Sequence, residues 1–372
     1  MEQLGKATAS DGRYVVSALK YRPLTFASVV GQKRIVNTLR QAILRNRIAP
    51  AYLFCGPRGV GKTTTARIFA RTINCAQVTP EGEACGKCAS CLAYEQGQSL
   101  DFFELDAASN NQVDDMRTWV EQIMTPGTDS RYKVFVMDEV HMLSTAAFNI
   151  FLKVLESPPS YARFILCTTE KHKVIPSILS LCQTFDFEKI TLEDTVDHLA
   201  YIVKQEGATA EPEALRLIAT KADGGMRDAL SLLDQLINYT GGQVTYTAVS
   251  ECMNTLDYEY YFTLGKAMLE HNYAAGLLLL EMVLTKGFDG EQLLSGMAHF
   301  LRDILLAKDT ENIALLGVTQ EVGTRYVGLA HALSDQVVFD AMKLIDKTIR
   351  EYRVASNKRL TAELCILRLC QG

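Results

Sequence analysis

The amino-acid sequence predicts a mainly parallel α/β domain followed by an all-α region, and three observations support this fold class. Short apolar runs alternate with helical patterns between about residues 50 and 190, which is typical of a parallel sheet covered by helices. A glycine-rich motif joins the first of these apolar runs to the next helix. Beyond residue 244, nearly every segment has helical periodicity.

The elements of the α/β domain are predicted from the length of each apolar run and from helical spacing. Residues 1 to about 20 are expected to form a tail that leads into the domain. Strands are predicted at Ala51–Cys55, Phe102–Leu105, Val134–Met137 and Phe164–Cys167. Helices are predicted at Gln32–Arg47, Thr63–Asn74, Asn111–Met124 and Ala146–Glu156, and the last of them ends before Pro158 and Pro159.

The character of the sequence changes after about Ile190. A few short helices are predicted over residues 191–237, with a break at Gly224 and Gly225, and residues 239–242 look like a boundary. Longer helices are predicted beyond it at Tyr258–His271, Ala274–Thr285, Gly290–Lys308 and Ser334–Val354.

Composition and charge exclude several classes of protein. The 372 residues are 48% hydrophobic, which is enough for two or three domains with ordinary cores. A formal net charge of −5 argues against binding nucleic acid over the whole surface, so any DNA contact must come from a local patch. No apolar stretch approaches the roughly 20 residues of a membrane span. No signal peptide is visible, so we expect a cytoplasmic location and no membrane contact.

The glycine-rich motif is the most specific feature of the sequence. It reads Gly56-Pro-Arg-Gly59-Val-Gly61-Lys62-Thr63. It fits G-x-x-x-x-G-K-[ST] and lies between a predicted strand and a predicted helix, which is the context that a phosphate-binding loop needs. The glycines would let backbone N–H groups face phosphate oxygens. Lys62 would reach the β- and γ-phosphates of ATP, Thr63 would ligate Mg²⁺, and Thr64 is a further candidate for nucleotide binding.

Two acids follow the Val134–Met137 strand. Asp138 and Glu139 are therefore expected at the carboxyl edge of the sheet, beside the phosphate-binding loop. Asp138 would hold Mg²⁺, usually through water, and Glu139 would polarise the attacking water. His141 follows them and is interpreted as a structural residue.

Later segments supply two further candidates for the same site. Thr168 and Thr169 end the Phe164–Cys167 strand, where a hydroxyl is able to reach the γ-phosphate or the water. Arg227 falls in the first turn of a predicted helix, which is an unfavourable place for a cation in the field of the helix dipole. An anionic partner would explain it.

Four of the ten cysteines are close together in the sequence. Cys75, Cys85, Cys88 and Cys91 have the spacing C-x₉-C-x₂-C-x₂-C, and such clustering in a cytosolic chain favours a metal over disulfides. Four thiolates fit a closed, structural Zn²⁺ site, with an iron–sulfur cluster or unligated thiols as the alternatives. The other cysteines are interpreted as small core residues: Cys55, Cys167, Cys182, Cys252, Cys365 and Cys370.

With these residues in view, the sequence resembles the gamma/tau subunits of bacterial DNA polymerase III, which are the AAA+ ATPases of the sliding-clamp loader. The resemblance is collinear over about residues 20–240. It rests on the phosphate-binding loop, the four cysteines and the segments Tyr21-Arg-Pro-Leu-Thr-Phe26, Val29-Val-Gly-Gln32, Leu105-Asp-Ala-Ala-Ser109, Asp138-Glu-Val-His-Met-Leu-Ser144, Leu152-Lys-Val-Leu-Glu156 and Gly225-Met-Arg-Asp-Ala-Leu-Ser-Leu-Leu-Asp-Gln235.

The resemblance implies an organisation in three domains. These are an AAA+ ATPase core over residues 1–190 with a zinc module at about 75–91, a helical lid over 191–243, and a helical collar over 244–372 that joins subunits. It implies ATP-dependent loading of the sliding clamp onto primer–template DNA by a pentameric hetero-oligomer of loader subunits in the bacterial replisome at the nucleoid. The polymerase core and the helicase would be partners if the native chain has a longer, tau-type tail.

The resemblance also implies roles for individual residues. Thr169, rather than Thr168, would be the first sensor of the γ-phosphate, and Arg227 would be the sensor carried by the lid. Arg22 and Pro23 would lie near the adenine.

One position departs from the family pattern. The family carries Ser-Arg-Cys after the sensor strand, and its arginine reaches into the ATP site of a neighbouring subunit. Here the segment reads Ser180-Leu181-Cys182, and leucine cannot supply that charge. Either this subunit does not trigger its neighbour in the usual way, or another basic residue substitutes, with Lys171 and Lys173 as candidates. A natural or engineered variant is the third explanation.

Two other functions stay open at this stage. An AAA+ DNA motor of the helicase or branch-migration type is disfavoured by the zinc insertion and by the Leu105–Ser109 segment. An ATP-binding structural subunit with weak hydrolysis is disfavoured by intact Lys62, Asp138 and Glu139, although Leu181 leaves it open. The basic helix Gln32–Arg47 and the helix start near Ser109–Gln112 are candidate DNA contacts, and a solvated basic face is the simpler interpretation.

Overall fold

The computed structural model describes residues 15–127, 130–252, 258–309 and 320–371. The first 14 residues of the predicted tail lie outside these ranges. The chain divides into two compact units, Met1–Glu206 with Ala219–Gln235, and Gly207–Ile218 with Leu236–Gly372. Among the described residues, none of the helices combines the length and apolar character that crossing a membrane demands.

A five-stranded parallel sheet forms the centre of the first unit. Its strands are β1 (Ala51–Cys55), β2 (Phe102–Asp106), β3 (Lys133–Asp138), β4 (Ala162–Thr168) and β5 (Gln183–Asp186). The order is β2-β3-β4-β1-β5, and every neighbouring pair is parallel. All five residues of β1 are buried, as the continuous apolar sequence of a central strand requires. The predicted parallel sheet is confirmed, and β5 is an edge strand that the prediction lacked.

Helices cover both faces of this sheet. The helices of this part of the chain are α1 (Ser17–Lys20), α2 (Lys33–Leu44), α3 (Lys62–Ile73), α4 (Ala89–Glu95), α5 (Val113–Met124), α6 (Thr145–Glu156), α7 (Pro176–Leu181) and α8 (Leu192–Gln205). On one face Leu53 packs with Met116 and Phe151. On the other face Tyr52 and Phe54 pack in a second cluster with residues of α2 and α3. The alternation of neighbouring residues between two apolar cores explains why every side chain of β1 is buried.

Two longer helices follow the α/β elements and are separated at the predicted glycine break. They are α9 (Pro212–Ala222) and α10 (Met226–Thr240), so the segment contains longer helices than the few short ones predicted. Gly224 has a φ of 81°, and an added Cβ there would lie 2.6 Å from Cβ of Lys189. Glycine is therefore required between the two helices.

The second unit is helical apart from one pair of two-residue parallel strands, β6 (Thr209–Ala210) and β7 (Gln243–Val244), within the described part of the chain. Its further helices are α11 (Tyr246–Cys252), α12 (Tyr258–Leu269), α13 (Tyr273–Thr285), α14 (Gly290–Ala307), α15 (Gln320–Ala332), α16 (Asp335–Val354) and α17 (Lys358–Gln371). Leu293, Phe300, Ile345 and Ile366 belong to a single buried apolar cluster. The predicted all-α region is confirmed for the described residues, and α11, α15 and α17 are additional to the prediction.

The cysteines outside the cluster do not all have the predicted environment. Cys55, Cys167, Cys365 and Cys370 are buried, as expected, and Cys182 is partly buried. Cys252 is exposed at the end of α11, so its interpretation as a core residue was wrong. A small apolar residue near a helix end carries no signal that separates the two environments.

Candidate active site

The phosphate-binding motif joins β1 to α3. Gly56, Gly59 and Gly61 have φ angles of 146°, 77° and 99°, a region that glycine adopts without strain. A Cβ on Gly56 would lie 2.5 Å from the carbonyl oxygen of Phe187, so this position excludes any side chain. Gly61 directly precedes the first residue of α3. The loop therefore presents its backbone at a helix N-terminus, which attracts anions.

The side chain of Lys62 folds over this loop. Its Nζ donates to the carbonyl oxygens of Gly56 at 2.8 Å and of Pro57 at 2.7 Å. Lys62 is 6% exposed, and burial lowers the pKa of its ammonium group. Phosphate oxygens are stronger acceptors than carbonyls because they are charged. The ammonium group is thus placed to exchange its loop contacts for a phosphate.

Thr63 and Asp138 connect the start of α3 to the end of β3. Thr63 Oγ1 donates to Asp138 Oδ2 at 2.7 Å, and Asp138 Oδ1 accepts the backbone N–H of Glu139 at 3.0 Å. Hydroxyl and carboxylate oxygens are the ligands that Mg²⁺ prefers. The two side chains therefore fit a divalent cation beside the phosphate-binding loop.

Glu139 has a strained backbone and a fully engaged carboxylate oxygen. Its φ and ψ are 48° and 46°, a left-handed conformation that is uncommon for a residue other than glycine and is concentrated at functional sites. Its Oε2 accepts the backbone N–H of Thr169 at 3.1 Å and the hydroxyl of Thr169 at 3.0 Å. Because β3 and β4 are neighbours, the two strand ends bring these residues together.

Thr168 has a different environment from Thr169. It is fully buried, and its hydroxyl lies 3.0 Å from Nδ1 of His141 and accepts the N–H of Glu170 at 3.0 Å. Thr169 is only partly buried, and its hydroxyl contacts the carboxylate that follows Asp138. Of the two threonines, Thr169 is the one whose hydroxyl is at the candidate site.

Residues from distant parts of the sequence also reach the loop. Arg22 Nε donates to Thr64 Oγ1 at 3.2 Å, and burial, together with the charge of Arg67, lowers the pKa of Arg22. Pro23 follows Arg22 and is half-buried.

Arg227, at the start of α10, is exposed. A Cβ built on Gly59 would lie 3.5 Å from Cβ of Arg227. The first turn of α10 therefore lies against the phosphate-binding loop.

Sequence reasoning assigned no role to Gln32. This side chain is 3% exposed, and its Nε2 donates to the carbonyl of Glu188 at 2.8 Å and reaches the carbonyl of Val60 at 3.5 Å. It thus connects the loop to the chain after β5. A polar residue just before a helix is usually exposed, so its sequence gives no physical signal of this contact.

Leu181 is the last residue of α7 and is 38% exposed. The two lysines considered as substitutes for an arginine already have acidic partners. Lys171 Nζ contacts both carboxylate oxygens of Asp186 at 2.8 and 2.9 Å, and Lys173 Nζ contacts Glu170 Oε1 at 2.9 Å. Exposed ion pairs of this kind contribute little free energy, so both lysines stay available for another partner.

The four clustered cysteines meet around one point. The Sγ atoms of Cys75, Cys85, Cys88 and Cys91 all lie within 4.8 Å of one another. The Sγ of Cys85 accepts the backbone N–H groups of Lys87 and Cys88, and these bonds lower the pKa of its thiol to about 6. Burial raises the pKa of the Cys75 and Cys91 thiols, and a metal favours the thiolate form of every thiol that it binds. The donor set therefore fits a metal with four sulfur ligands.

The segment from Cys75 to Cys91, here called the cysteine loop, also contacts the N-terminal part of the α/β domain. Glu83 accepts the backbone N–H of Phe26 at 2.9 Å and of Ala27 at 2.8 Å, and it forms an ion pair with Arg40. Arg40 therefore does not belong to a solvated basic face of the predicted helix Gln32–Arg47, whereas Arg34, Arg45 and Arg47 are exposed. The reason is a partner 43 residues away, which the helical spacing of α2 cannot reveal.

Comparison with known proteins assigns consecutive parts of the chain to related families. The model described as DNA polymerase III, delta subunit, matches residues 31–191. The model for the DNA polymerase III clamp loader subunit, ATPase lid domain, matches residues 194–242. The model for domain III of DNA polymerase III subunits gamma and tau matches residues 244–372.

Individual relatives extend over most of the chain. DNA polymerase III subunit tau of Bacillus subtilis is 38% identical over 351 residues, which are 94% of this chain and 62% of that protein. The tau subunit of Escherichia coli is 37% identical over 95% of this chain and 55% of its own length. The chain thus spans little more than half the length of these relatives.

A solved structure, the Thermotoga maritima RuvB Holliday junction branch migration motor, has 18% sequence identity and a TM-score of 0.47. It covers 67% of this chain and 79% of its own. A likeness at this level carries no conclusion about function.

A shorter relative is matched from end to end. DNA polymerase III subunit gamma of Buchnera aphidicola subsp. Baizongia pistaciae is 33% identical over 366 residues, which are 96% of each chain. The similarity covers 96% of both chains, and the family model that matches residues 244–372 is also one of the gamma and tau subunits. The chain therefore belongs to the DNA polymerase III subunit gamma/tau family.

Proposed function

We propose that this chain is an ATPase of the DNA polymerase III clamp loader, which uses ATP to place the sliding clamp on primer–template DNA. The observation that carries the proposal is the convergence of Lys62, Thr63, Asp138, Glu139 and Thr169 at the carboxyl edge of one parallel sheet. These residues follow the ends of β1, β3 and β4, which are neighbours in the sheet. Together they supply the cation, the Mg²⁺ ligands, the general base and the hydroxyl donor that phosphoryl transfer from ATP needs.

Each side chain has a distinct task in this reaction. Lys62 exchanges its carbonyl partners for β- and γ-phosphate oxygens, and the N–H groups of the loop bind the same phosphates. Thr63 and Asp138 would hold Mg²⁺, which neutralises phosphate charge when it is bound. Glu139 accepts a hydrogen bond from the attacking water, and Thr169 donates to the γ-phosphate. Arg227, next to the loop, adds a positive charge from α10, and Arg22 and Pro23 lie near the adenine.

The domain organisation and the partners are part of the same proposal. We propose an AAA+ ATPase core over residues 1–190, a lid over 191–243 and a collar over 244–372, divisions that the spans of the three family models support. The partners are the other subunits of a pentameric loader, the sliding clamp and primer–template DNA in the bacterial cytoplasm. The polymerase core and the helicase would bind only through a longer, tau-type tail.

The test is ATP hydrolysis by the chain assembled with its loader subunits. Turnover should rise when the clamp and primed DNA are added together, and the clamp should become closed on DNA only in the presence of ATP. A helicase substrate provides the comparison with a DNA motor. Strand displacement without clamp loading would contradict the proposal, and so would ATP binding with no stimulated turnover, which is the behaviour of a structural subunit.

We also propose that the metal of the cysteine cluster is Zn²⁺ in a structural site, because four thiolate ligands leave no position open for chemistry. The purified chain should contain about one zinc ion, and no iron, for each cysteine cluster. The reference is the chain in free zinc at about 1,000 times the dissociation constant. Compared with it, the chain stripped of metal by a chelator should have a free energy of unfolding that is lower by about 4 kcal/mol.

The matched variants for this prediction are Cys88→Ser and Cys252→Ser. The first removes a ligand and should reproduce the effect of the chelator in a thermal unfolding experiment. The second removes an exposed cysteine outside the cluster and should leave both zinc content and stability unchanged. Iron in place of zinc, or a chain that unfolds identically with and without chelator, would contradict this assignment.

A further inference from the structure

His141 lies between the carboxylate of Glu139 and the chain that follows β4. Its Nδ1 is 3.0 Å from the hydroxyl of Thr168 and 3.4 Å from Oε2 of Glu139. Its Nε2 is 3.4 Å from Oε1 of Glu170. The imidazole side chain is only 6% exposed. A buried ring with polar partners at both nitrogens has a fixed orientation, so it also restricts the groups that it contacts.

The proposed ATPase function requires the contacts of Glu139 to change when ATP binds. Thr169 now uses its hydroxyl proton in the bond to Glu139 Oε2, and a threonine has only one such proton. If that proton turns to the γ-phosphate, Oε2 of Glu139 loses one of the two hydrogen bonds that Thr169 donates to it. The oxygen can then accept a hydrogen bond from water. The backbone N–H of Thr169 and the ring of His141 are the contacts that stay.

We propose that His141 is a positioning residue that keeps the Glu139 carboxylate aimed at the attacking water after Thr169 has turned to the γ-phosphate. The inference rests on the proposed ATPase function. The ring acts through Nδ1, the nitrogen that faces both Thr168 and Glu139, while Nε2 and Glu170 fix the plane of the ring. Its effect is on the geometry of Glu139 and therefore on the chemical step, because small displacements of a reacting group cost large factors in rate.

Three substitutions of His141, by Asn, Gln and Ala, distinguish the contribution of Nδ1 from that of Nε2. The amide of Asn can occupy the place of Nδ1, and the longer amide of Gln can occupy the place of Nε2, whereas Ala removes both. His172→Ala is the matched control, because His172 also contacts Glu170, at 3.5 Å, but its side chain is 76% exposed. The readouts are single-turnover hydrolysis, equilibrium ATP binding and thermal unfolding of the chain assembled with its loader subunits.

We expect His141→Ala to lower the single-turnover rate about 10- to 100-fold while the dissociation constant for ATP changes less than about twofold. His141→Asn should recover most of the rate, His141→Gln should recover little of it, and His172→Ala should match the unchanged protein. Equal rates for the Asn and Gln variants would overturn the inference. So would a loss of rate in the Ala variant that is matched by weaker ATP binding and a lower melting temperature, which would indicate a purely structural histidine.

The failure of the proposed function would look different. In that case the unchanged complex itself would bind ATP without hydrolysing it, whatever residue occupies position 141.

Discussion

Replacement of Glu139 by Gln should lower ATP turnover about 10²- to 10⁴-fold, the usual contribution of a general base, and leave ATP affinity nearly unchanged. The neutral amide has almost the same shape as the carboxylate and can still accept the bonds from Thr169. It is too weak a base to polarise water. Single-turnover hydrolysis and equilibrium titration with a fluorescent nucleotide measure the two effects separately.

Two comparisons make this prediction specific. Lys62→Ala should weaken ATP binding itself, because its Nζ is the cation at the phosphate-binding loop. Glu156→Gln removes a carboxylate of the same type at the exposed end of α6 and should change neither quantity. If Glu139→Gln retained normal turnover, another group would have to activate the water and the proposed assignment of Glu139 would be wrong.

Leu181→Arg should raise the DNA- and clamp-stimulated turnover of the assembled complex by about tenfold or more, a part of the factor of about 10³ to 10⁵ that an arginine supplied in trans contributes to phosphoryl transfer. Leu181 is exposed at the end of α7, so a longer charged side chain can extend from it without disturbing the core. Steady-state hydrolysis by complexes assembled with the changed and unchanged chains measures the difference.

The control for position 181 is Ser180→Arg. Ser180 is also exposed, but it lies about 100° away around the same helix, so its arginine points to a different side. This variant should have the turnover of the unchanged complex. Should Leu181→Arg have no effect, the charge must come from elsewhere, and Lys171→Ala and Lys173→Ala would show which of these two lysines provides it.

Local sequence patterns predicted the centre of the fold because their causes are local. The buried strand β1, the positive φ angles at Gly56 and Gly59, and the helix that begins at Lys62 all follow from residues within one short segment. The end of β3 at Asp138 and the end of β4 at Thr168 followed from apolar runs bounded by polar residues. Since parallel strands end at one edge, their juxtaposition could also be inferred.

The elements that sequence reasoning missed depend on contacts between distant residues. β5 reads Gln-Thr-Phe-Asp, with only Phe185 buried, and it is a strand because it pairs with β1. The contact of His141 with Thr168 could not be inferred from the sequence because the two residues are 27 positions apart. Gln32 was missed for the same reason, since its acceptor is 156 residues away. No periodicity or propensity encodes such pairs.

The hydrogen bonds that Glu83 accepts limit how this domain can be redesigned. An insertion that only bound metal would be exchangeable for a short linker between α3 and β2. In this chain the same exchange would delete the acceptor for the N–H groups of Phe26 and Ala27 and would leave Arg40, half-buried on α2, without its acidic partner. The same bonds anchor the segment that contains Arg22, whose side chain donates to Thr64. The segment between α3 and α4 that contains Glu83 is thus a structural component of the α/β domain, and a minimal version of this domain has to retain it.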